Sequence, residues 1–265
     1  MSALLFEKDG FVATLTLNRP ESRNILGEPG DGALFEETCA RINGDRNLRC
    51  VILTGAGPVF SAGGNVKAMR DRIPPFAGTA EEIRDAYKTD IHKVVRSLWN
   101  IEVPVIAAIN GAAIGLGNDV ACLADIRISA DTATFGATFL KVGLVPGDGG
   151  AWLLPLIIGH ARAAELFFGA DTIDAQTALS WGLVSRLVPL EWLMNEVRGL
   201  AERIARQPPG VLRMTKKLMR EALDADFATI MDRSAVAQGR AHVSGDHAEA
   251  LAAFFEKRAP VFHGH

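Results

Sequence analysis

The stretch PVIAAINGAAIGLGNDVACLA, residues 104–124, organises the interpretation of this chain. It begins with an apolar segment typical of a strand, turns at Asn110-Gly111 and crosses a run of small residues, 112–117. Small residues let the backbone approach a ligand closely, and a helix start leaves N–H donors without intrahelical partners. The pattern predicts a site for an anion or a developing oxyanion, with Asp119 one turn inside the following helix. A tightly packed strand-to-helix crossing without a ligand is the alternative.

Two other turns share this design, at residues 61–65 and 146–150. Each is rich in small residues and precedes a segment that we expect to be helical. Two such turns that meet would direct two backbone N–H groups at one carbonyl oxygen, which is the arrangement called an oxyanion hole. The third turn also carries Asp148, which would either present its carboxylate to the site or cap the following helix. The sequence leaves these two alternatives open.

The composition is that of an ordinary globular protein. The chain has 265 residues, of which 48% are hydrophobic and 22% charged, and its formal net charge is −3. This charge gives no field that would recruit nucleic acid or an anionic membrane, and no segment is apolar for long enough to cross a bilayer. Because the first residues lack the pattern of a signal peptide, we expect a cytoplasmic protein. Three distant cysteines favour buried free thiols over a disulfide framework or a metal site.

Short apolar segments alternate with segments of helical periodicity. Strands are predicted at residues 11–17, 49–54, 105–109 and 126–128. The continuously apolar run at 49–54 is typical of a strand covered on both faces. One helix is predicted from an apolar stripe at helical spacing: Ile83, Tyr87, Ile91, Val94, Val95 and Leu98. From about residue 191 the chain reads as mostly helical. The alternation predicts an α/β fold with a helical C-terminal region.

Other motifs for nucleotide binding or nucleophilic catalysis are not matched. A dinucleotide-binding fingerprint would need a glycine at position 120, where this chain has Val120. The phosphate-binding sequence Gly-Lys-Ser/Thr does not occur. The nucleophile elbow G-x-S-x-G is absent at Ser61, because Val59 stands two residues before it. Asp125, directly before a predicted strand, is expected to be a structural hydrogen-bonding residue.

Three segments carry a family resemblance: FSAGGNVKAM (60–69), NGAAIGLGNDVACLADIRIS (110–129) and FGATFLKVGLVPGDGGAWLLP (135–155). In this order they resemble the enoyl-CoA hydratase/isomerase (crotonase) family, and the likeness extends over nearly the whole chain. The resemblance implies a crotonase-like spiral of ββα units as the acyl-CoA-binding core, residues 1–197. It also implies a helical C-terminal oligomerisation region, residues 198–265, that builds a homotrimer or a dimer of trimers.

The resemblance implies an acyl-CoA thioester as substrate, with coenzyme A as part of it and no separate cofactor or metal. The backbone N–H groups of Gly64 and Leu116 would hold the thioester oxygen and stabilise an enolate. The residues implied to contact coenzyme A or substrate are Arg23, Ala62, Gly64, Asn65, Val66, Lys67, Leu116 and Phe139. Of these, Arg23 and Lys67 would either pair with phosphates or remain solvated cations.

The chain departs from the pattern of the family's hydratases, which use two glutamates. Asp119 stands at the first position and Phe139 at the second, and Asn65 replaces the usual aspartate. A further acidic position used by some members falls at Gly147, one residue before Asp148. We expect Asp119 to be the leading acid or base and Asp148 a possible second. Because Phe139 cannot transfer a proton, the two-carboxylate addition of water should be impaired.

The expected protein is therefore an enzyme of the enoyl-CoA hydratase/isomerase type, a lyase or an isomerase. Two alternatives stay open: a double-bond isomerase for enoyl- or dienoyl-CoA without hydratase activity, and a weakly catalytic oligomer that binds CoA thioesters. The apolar face of the last predicted helix should lie against another element, which the resemblance suggests is a second subunit. Its residues are Ala248, Leu251, Ala252 and Phe255.

Overall fold

Two sheets form the centre of the protein in the computed structural model, which describes residues 2–264. The strands are β1 (Leu4–Asp9), β2 (Val12–Leu17), β3 (Cys50–Gly55), β4 (Val105–Ile109), β5 (Ala113–Ile114), β6 (Ile126–Ala130), β7 (Thr134–Gly136), β8 (Thr172–Asp174) and β9 (Arg186–Val188). The larger sheet has the order β1-β2-β3-β4-β6-β9, in which only the β1–β2 pair is antiparallel. The smaller sheet has the order β5-β7-β8.

Helices separate most of the strands and make up the last quarter of the chain. They are α1 (Asp31–Gly44), α2 (Val66–Arg70), α3 (Ala80–Thr89), α4 (Ile91–Trp99), α5 (Leu116–Leu123), α6 (Gly150–Ile158), α7 (His160–Gly169), α8 (Ala175–Trp181), α9 (Leu193–Ala205), α10 (Pro209–Glu221), α11 (Phe227–His242) and α12 (Gly245–Glu256). The predicted α/β class with a helical C-terminal region is confirmed. None of the helices within residues 2–264 has the length and apolar character needed to cross a bilayer.

The central strands of the larger sheet are covered on both faces. In β3, Val51 and Leu53 pack into the larger apolar core, whereas Ile52 belongs to a second core on the other face. All three side chains are at most 1% exposed. Burial of an aliphatic side chain of this size contributes about 1.5–3 kcal/mol. The continuous apolar run 49–54 predicted such a two-sided strand, and the prediction is confirmed.

The boundary expected between residues 197 and 198 falls within α9. This helix covers the second core, where Leu193, Val197, Ala201 and Ala205 pack against the sheet. Because one apolar face continues through the whole of α9, the helix belongs with the α/β core. The next helix, α10, begins at the Pro208-Pro209 step.

The apolar stripe of residues 83–98 forms two helices rather than one. The break is at Asp90, whose backbone adopts φ −125° and ψ −75°. Its carboxylate accepts hydrogen bonds from the N–H groups of Gly30 and Gly32 at the start of α1. A Cβ at Gly32 would lie 2.9 Å from the Asp90 backbone, so this close contact requires glycine. Periodicity alone does not show this tertiary contact, and therefore it did not predict the break.

Asp125 connects the helical region to the larger sheet. Its Oδ2 accepts a hydrogen bond from the N–H of Val105 at 2.8 Å and lies 2.7 Å from Nζ of Lys216. Its Oδ1 accepts from Arg220 at 2.8 Å. Lys216 is only 6% exposed and also donates to the Val103 carbonyl. The structural role expected for Asp125 is confirmed.

The apolar face expected on the last helix is not covered by this chain. In α12 the side chains of Leu251 and Phe255 are 47% and 77% exposed, and the neighbouring Phe254 is 76% exposed. Ala253 is the apolar residue of this helix that is buried within the chain. Coverage by a second subunit therefore stays a prediction.

Candidate active site

The first two small-residue turns lie side by side. The N–H of Ser61 donates to the Ala112 carbonyl, and the N–H of Ile114 donates back to the Ser61 carbonyl, each at 3.0 Å. A Cβ at Gly117 would lie 2.3 Å from the Ser61 oxygen, and one at Gly63 would lie 2.5 Å from the Ile114 oxygen. The small residues are therefore required because two backbones approach closely.

Gly64 and Leu116 stand at the meeting point of these turns. Leu116 is the first residue of α5, so its N–H has no intrahelical acceptor. Within residues 2–264, neither the Leu116 N–H nor the Gly64 N–H donates a hydrogen bond. Both residues line the same cavity, which has a volume of about 80 Å³. The turns thus place two unused backbone donors beside one small cavity.

Six of the site residues predicted from the sequence line this cavity: Ala62, Gly64, Val66, Leu116, Phe139 and Asp148. A larger, mostly apolar cavity of about 470 Å³ adjoins it. The two cavities share five lining residues, Val66, Met69, Tyr87, Val142 and Leu144, so the larger cavity extends the space beside the paired turns. This space is large enough to hold an apolar group attached to a carbonyl bound at the turns.

Asp148 presents its side chain to the small cavity. It is 6% exposed, and its Oδ1 has no hydrogen-bond partner within the described residues. The N-cap of α6 is Gly149, and no side chain caps this helix. Asp148 therefore does not cap α6. Burial raises the pKa of Asp148 to about 6, and the nearby His92 opposes this shift. A carboxyl group that titrates near neutral pH is suited to proton transfer.

The structure places Asp119, the expected leading acid or base, beside the third turn. This residue is 0% exposed and does not line the small cavity. Its Oδ2 accepts a hydrogen bond from the N–H of Gly150 at 3.1 Å, whereas its Oδ1 is unpartnered in the part of the chain described. Burial, and then the charge of Asp148, raise its pKa well above the usual range. Asp119 therefore lies behind the third turn and supports its backbone.

Two residues near Asp148 were not predicted. Tyr87 lines the cavity from α3, and burial followed by the charge of Asp148 raises its pKa to about 12. His92 of α4 lies beside it, with ring centroids 6.0 Å apart, and contacts the third turn at Gly147. The amphipathic stripe located their helices, but no sequence pattern shows which turn a helix faces.

The polar residues implied to contact coenzyme A lie outside the small cavity. Asn65 caps α2, where its side chain accepts from the N–H of Ala68 at 3.0 Å and donates to Glu28 at 2.9 Å. Arg23 and Lys67 are exposed and form no ion pair within residues 2–264. The Arg23 carbonyl accepts from the N–H of Ala62 at 2.9 Å, so this loop adjoins the first turn. Within the same residues, no three His, Cys, Asp or Glu side chains are arranged to hold a metal ion.

Comparison with known proteins identifies the family. The model of the enoyl-CoA hydratase/isomerase family matches residues 7–265. A probable enoyl-CoA hydratase of Mycobacterium tuberculosis is 35% identical over 261 residues, covering 98% of this chain and 97% of that protein. The 1,2-epoxyphenylacetyl-CoA isomerase of Escherichia coli K12 is 35% identical over 264 residues, covering 100% and 99%.

The fold comparison agrees. The crystal structure of an enoyl-CoA hydratase from Bacillus anthracis matches with a TM-score of 0.92 and 32% identity, covering 100% of both chains. A second crystal structure, that of a putative enoyl-CoA hydratase/isomerase from Mycobacterium abscessus, matches with a TM-score of 0.89 and 34% identity, covering 99% of this chain and 100% of that one. The predicted crotonase-like fold is confirmed. This chain belongs to the enoyl-CoA hydratase/isomerase family.

Proposed function

We propose that this enzyme binds an acyl-CoA thioester with its carbonyl oxygen between the N–H groups of Gly64 and Leu116, and moves a carbon–carbon double bond within the acyl group. Negative charge develops on the thioester oxygen when a proton leaves a carbon of the acyl group and the thioester becomes an enolate. Preorganised backbone donors stabilise such charge, and loss of one typically lowers kcat by about 10²–10³-fold. The pair of unused donors on one cavity supports this assignment.

Asp148 transfers the proton in this proposal. Isomerisation removes a proton from one carbon and returns one to another, so a single carboxyl group can serve in both steps. The observation that carries the proposal is that Asp148 is the one carboxyl group that lines the small cavity within residues 2–264. Phe139, only 9% exposed, occupies the position where the resemblance would place a second carboxylate.

Hydration is the second candidate, favoured by the names of several relatives. The M. tuberculosis protein, for example, is named a probable enoyl-CoA hydratase. Addition of water needs a group that activates the water and a proton for the α-carbon, which two positioned carboxyl groups supply most directly. Asp119 lies behind the third turn and Phe139 has no proton to transfer, so isomerisation fits the cavity better.

The surroundings of the first turn suit the rest of the substrate. Coenzyme A enters as part of the substrate, and no separate cofactor is proposed. The exposed cation Arg23, whose carbonyl accepts from the N–H of Ala62, and the exposed Lys67 of α2 would contact its phosphates as charged donors. Ala62, Asn65 and Val66 complete this proposed binding segment.

We also propose a cytoplasmic homotrimer or dimer of trimers. The exposed apolar side chains of α12, Leu251, Phe254 and Phe255, are the surface that a second subunit would cover. Light scattering at micromolar concentration tests this directly. A monodisperse monomer would contradict the assembly without affecting the proposed chemistry.

A panel of enoyl-, dienoyl- and aryl-substituted acyl-CoA thioesters tests the reaction. The products are read by mass spectrometry with incubation in H₂¹⁸O. Isomerisation leaves the mass unchanged and alters the chromatographic position, whereas hydration adds the mass of labelled water. We expect isomerisation to exceed hydration. Hydration as the dominant reaction would overturn the proposal, and binding without turnover would favour the CoA-thioester-binding alternative.

A further inference from the structure

His92 and Asp119 both contact the third turn, residues 146–150, from different helices. The Nε2 of His92 lies 2.9 Å from the carbonyl oxygen of Gly147, the residue before Asp148. A carbonyl oxygen only accepts hydrogen bonds, so Nε2 is the donor. We propose that His92 is a positioning residue that fixes the Gly147 carbonyl and thereby holds the Asp148 carboxylate in the cavity. This inference rests on the function proposed for Asp148.

The turn needs such a contact because little else restrains it. Glycines stand on both sides of Asp148, and glycine has more backbone freedom than any other residue. A Cβ at Gly147 would find its nearest neighbour 3.9 Å away, so packing does not hold this residue. The Oδ1 of Asp148 is unpartnered within the described residues. The turn is instead anchored on its two flanks, at the Gly147 carbonyl by His92 and at the Gly150 N–H by Asp119.

His92 also acts on Asp148 through charge. Two titratable groups lie close enough for the charge of Asp148 to raise their pKa: Tyr87 from α3, which also contacts the His92 ring, and Asp119 from α5. The carboxylate of Asp90, two residues before His92, accepts hydrogen bonds from the backbone N–H groups at the start of α1. Burial raises the pKa of Asp148, and positive charge on His92 opposes that effect. The same imidazole therefore positions the carboxyl group and favours its ionised form.

Two substitutions separate these effects. His92→Gln keeps a side-chain N–H donor but removes the charge, whereas His92→Phe keeps a ring beside Tyr87 and removes the donor. His160→Gln is the control, since His160 is an exposed histidine at the start of α7. The readouts are kcat and KM against pH for the best acyl-CoA of the panel. The titration of the Asp148 carboxyl by ¹³C NMR without substrate gives a readout that does not depend on turnover.

We expect His92→Phe to lower kcat by about 10–100-fold, because a small misplacement of a reacting group is costly, with a much smaller change in KM. His92→Gln should keep most of the maximal kcat but move the Asp148 titration to higher pH. His160→Gln should change neither. An unchanged Asp148 titration in both His92 variants would overturn the inference. If the unmodified enzyme turns over none of the thioesters, the proposed function fails, while the NMR titration still decides the role of His92.

Discussion

Asp125 and Asp148 are both removed from bulk solvent, yet their surroundings are opposite. Asp125 is half-buried and has a partner for each oxygen: the Val105 N–H, Lys216 and Arg220. Asp148 is the more buried of the two, and its Oδ1 has no partner in residues 2–264. Burial of a carboxylate is unfavourable unless hydrogen bonds or charges compensate. The first carboxylate therefore stabilises the fold, and the second is kept available at an energetic cost.

The comparison teaches how to tell structural from functional carboxylates in this chain. Asp125 directly precedes the strand β6, and Asp148 lies just before the helix α6, so each stands beside a regular element. The sequence around the two residues therefore does not distinguish their roles. The number of satisfied oxygen atoms does, because buried polar groups in proteins are nearly always hydrogen-bonded and each exception needs an explanation, such as a catalytic role. Asp119 is intermediate, with one oxygen bonded to Gly150 and the other unpartnered.

Removing the partnered carboxylate should have the largest effect on stability. Asp125→Ala leaves Lys216 buried without its counter-charge, and breaking a buried pair in this way costs about 3–5 kcal/mol. Chemical denaturation measures the loss. Asp131→Ala is the control, because Asp131 is an exposed carboxylate at the other end of β6. A loss of stability no greater than that of the control would show that the Asp125 cluster is not structural.

The donor turn should show the reverse pattern, with a loss of activity and little loss of stability. Gly64→Pro removes the N–H, and kcat should fall by about 10²–10³-fold. Gly64→Ala keeps the N–H, and its Cβ meets only the flexible end of Met69 at 3.0 Å. This variant should keep most of the activity. The two variants are compared at a temperature at which both are folded. Equal kcat would show that the Gly64 N–H does not contribute to catalysis.

The unpartnered carboxylate should make folding less favourable as the pH rises. The pKa of Asp148 in the folded protein, about 6, lies above that of an unfolded aspartate. Its stabilising contribution is therefore fully present below the unfolded pKa and lost as the pH rises through about 6. Between pH 4 and pH 7, the free energy of unfolding of the Asp148→Asn variant should increase by up to about 3 kcal/mol relative to that of the unmodified protein. Parallel stability curves for the two proteins would contradict the placement of Asp148.

A smaller effect is expected at the position that lacks a carboxyl group. Phe139→Glu puts a second carboxyl into the cavity and should raise hydration of crotonyl-CoA, which should be slow in the unmodified enzyme. Phe139→Gln is the matched control, because it is polar but cannot take up a proton. Fast hydration of crotonyl-CoA by the unmodified enzyme would show that Phe139 does not limit this reaction.

The sequence predicted that the strand at residues 49–54 is covered on both faces, because its continuous apolar run depends on local composition. It also predicted that the turns at 61–65 and 111–117 form one site, through their shared design and the family resemblance. It did not predict the short strands β5, β7, β8 and β9, whose pairing is set by tertiary contacts. The roles of Asp119 and His92 also depend on distant partners, Gly150 and Gly147, and no local pattern encodes such contacts.

The central claim is that Asp148, rather than Asp119, transfers the proton. The most direct test is incorporation of deuterium into an enoyl- or dienoyl-CoA in D₂O, followed by mass spectrometry. Asp148→Asn should slow incorporation by about 10²–10⁴-fold, the usual contribution of a well-placed acid or base. Asp119→Asn, whose amide oxygen can still accept from Gly150, should keep most of the exchange. Undiminished exchange in Asp148→Asn, or a larger loss in Asp119→Asn, would contradict the account.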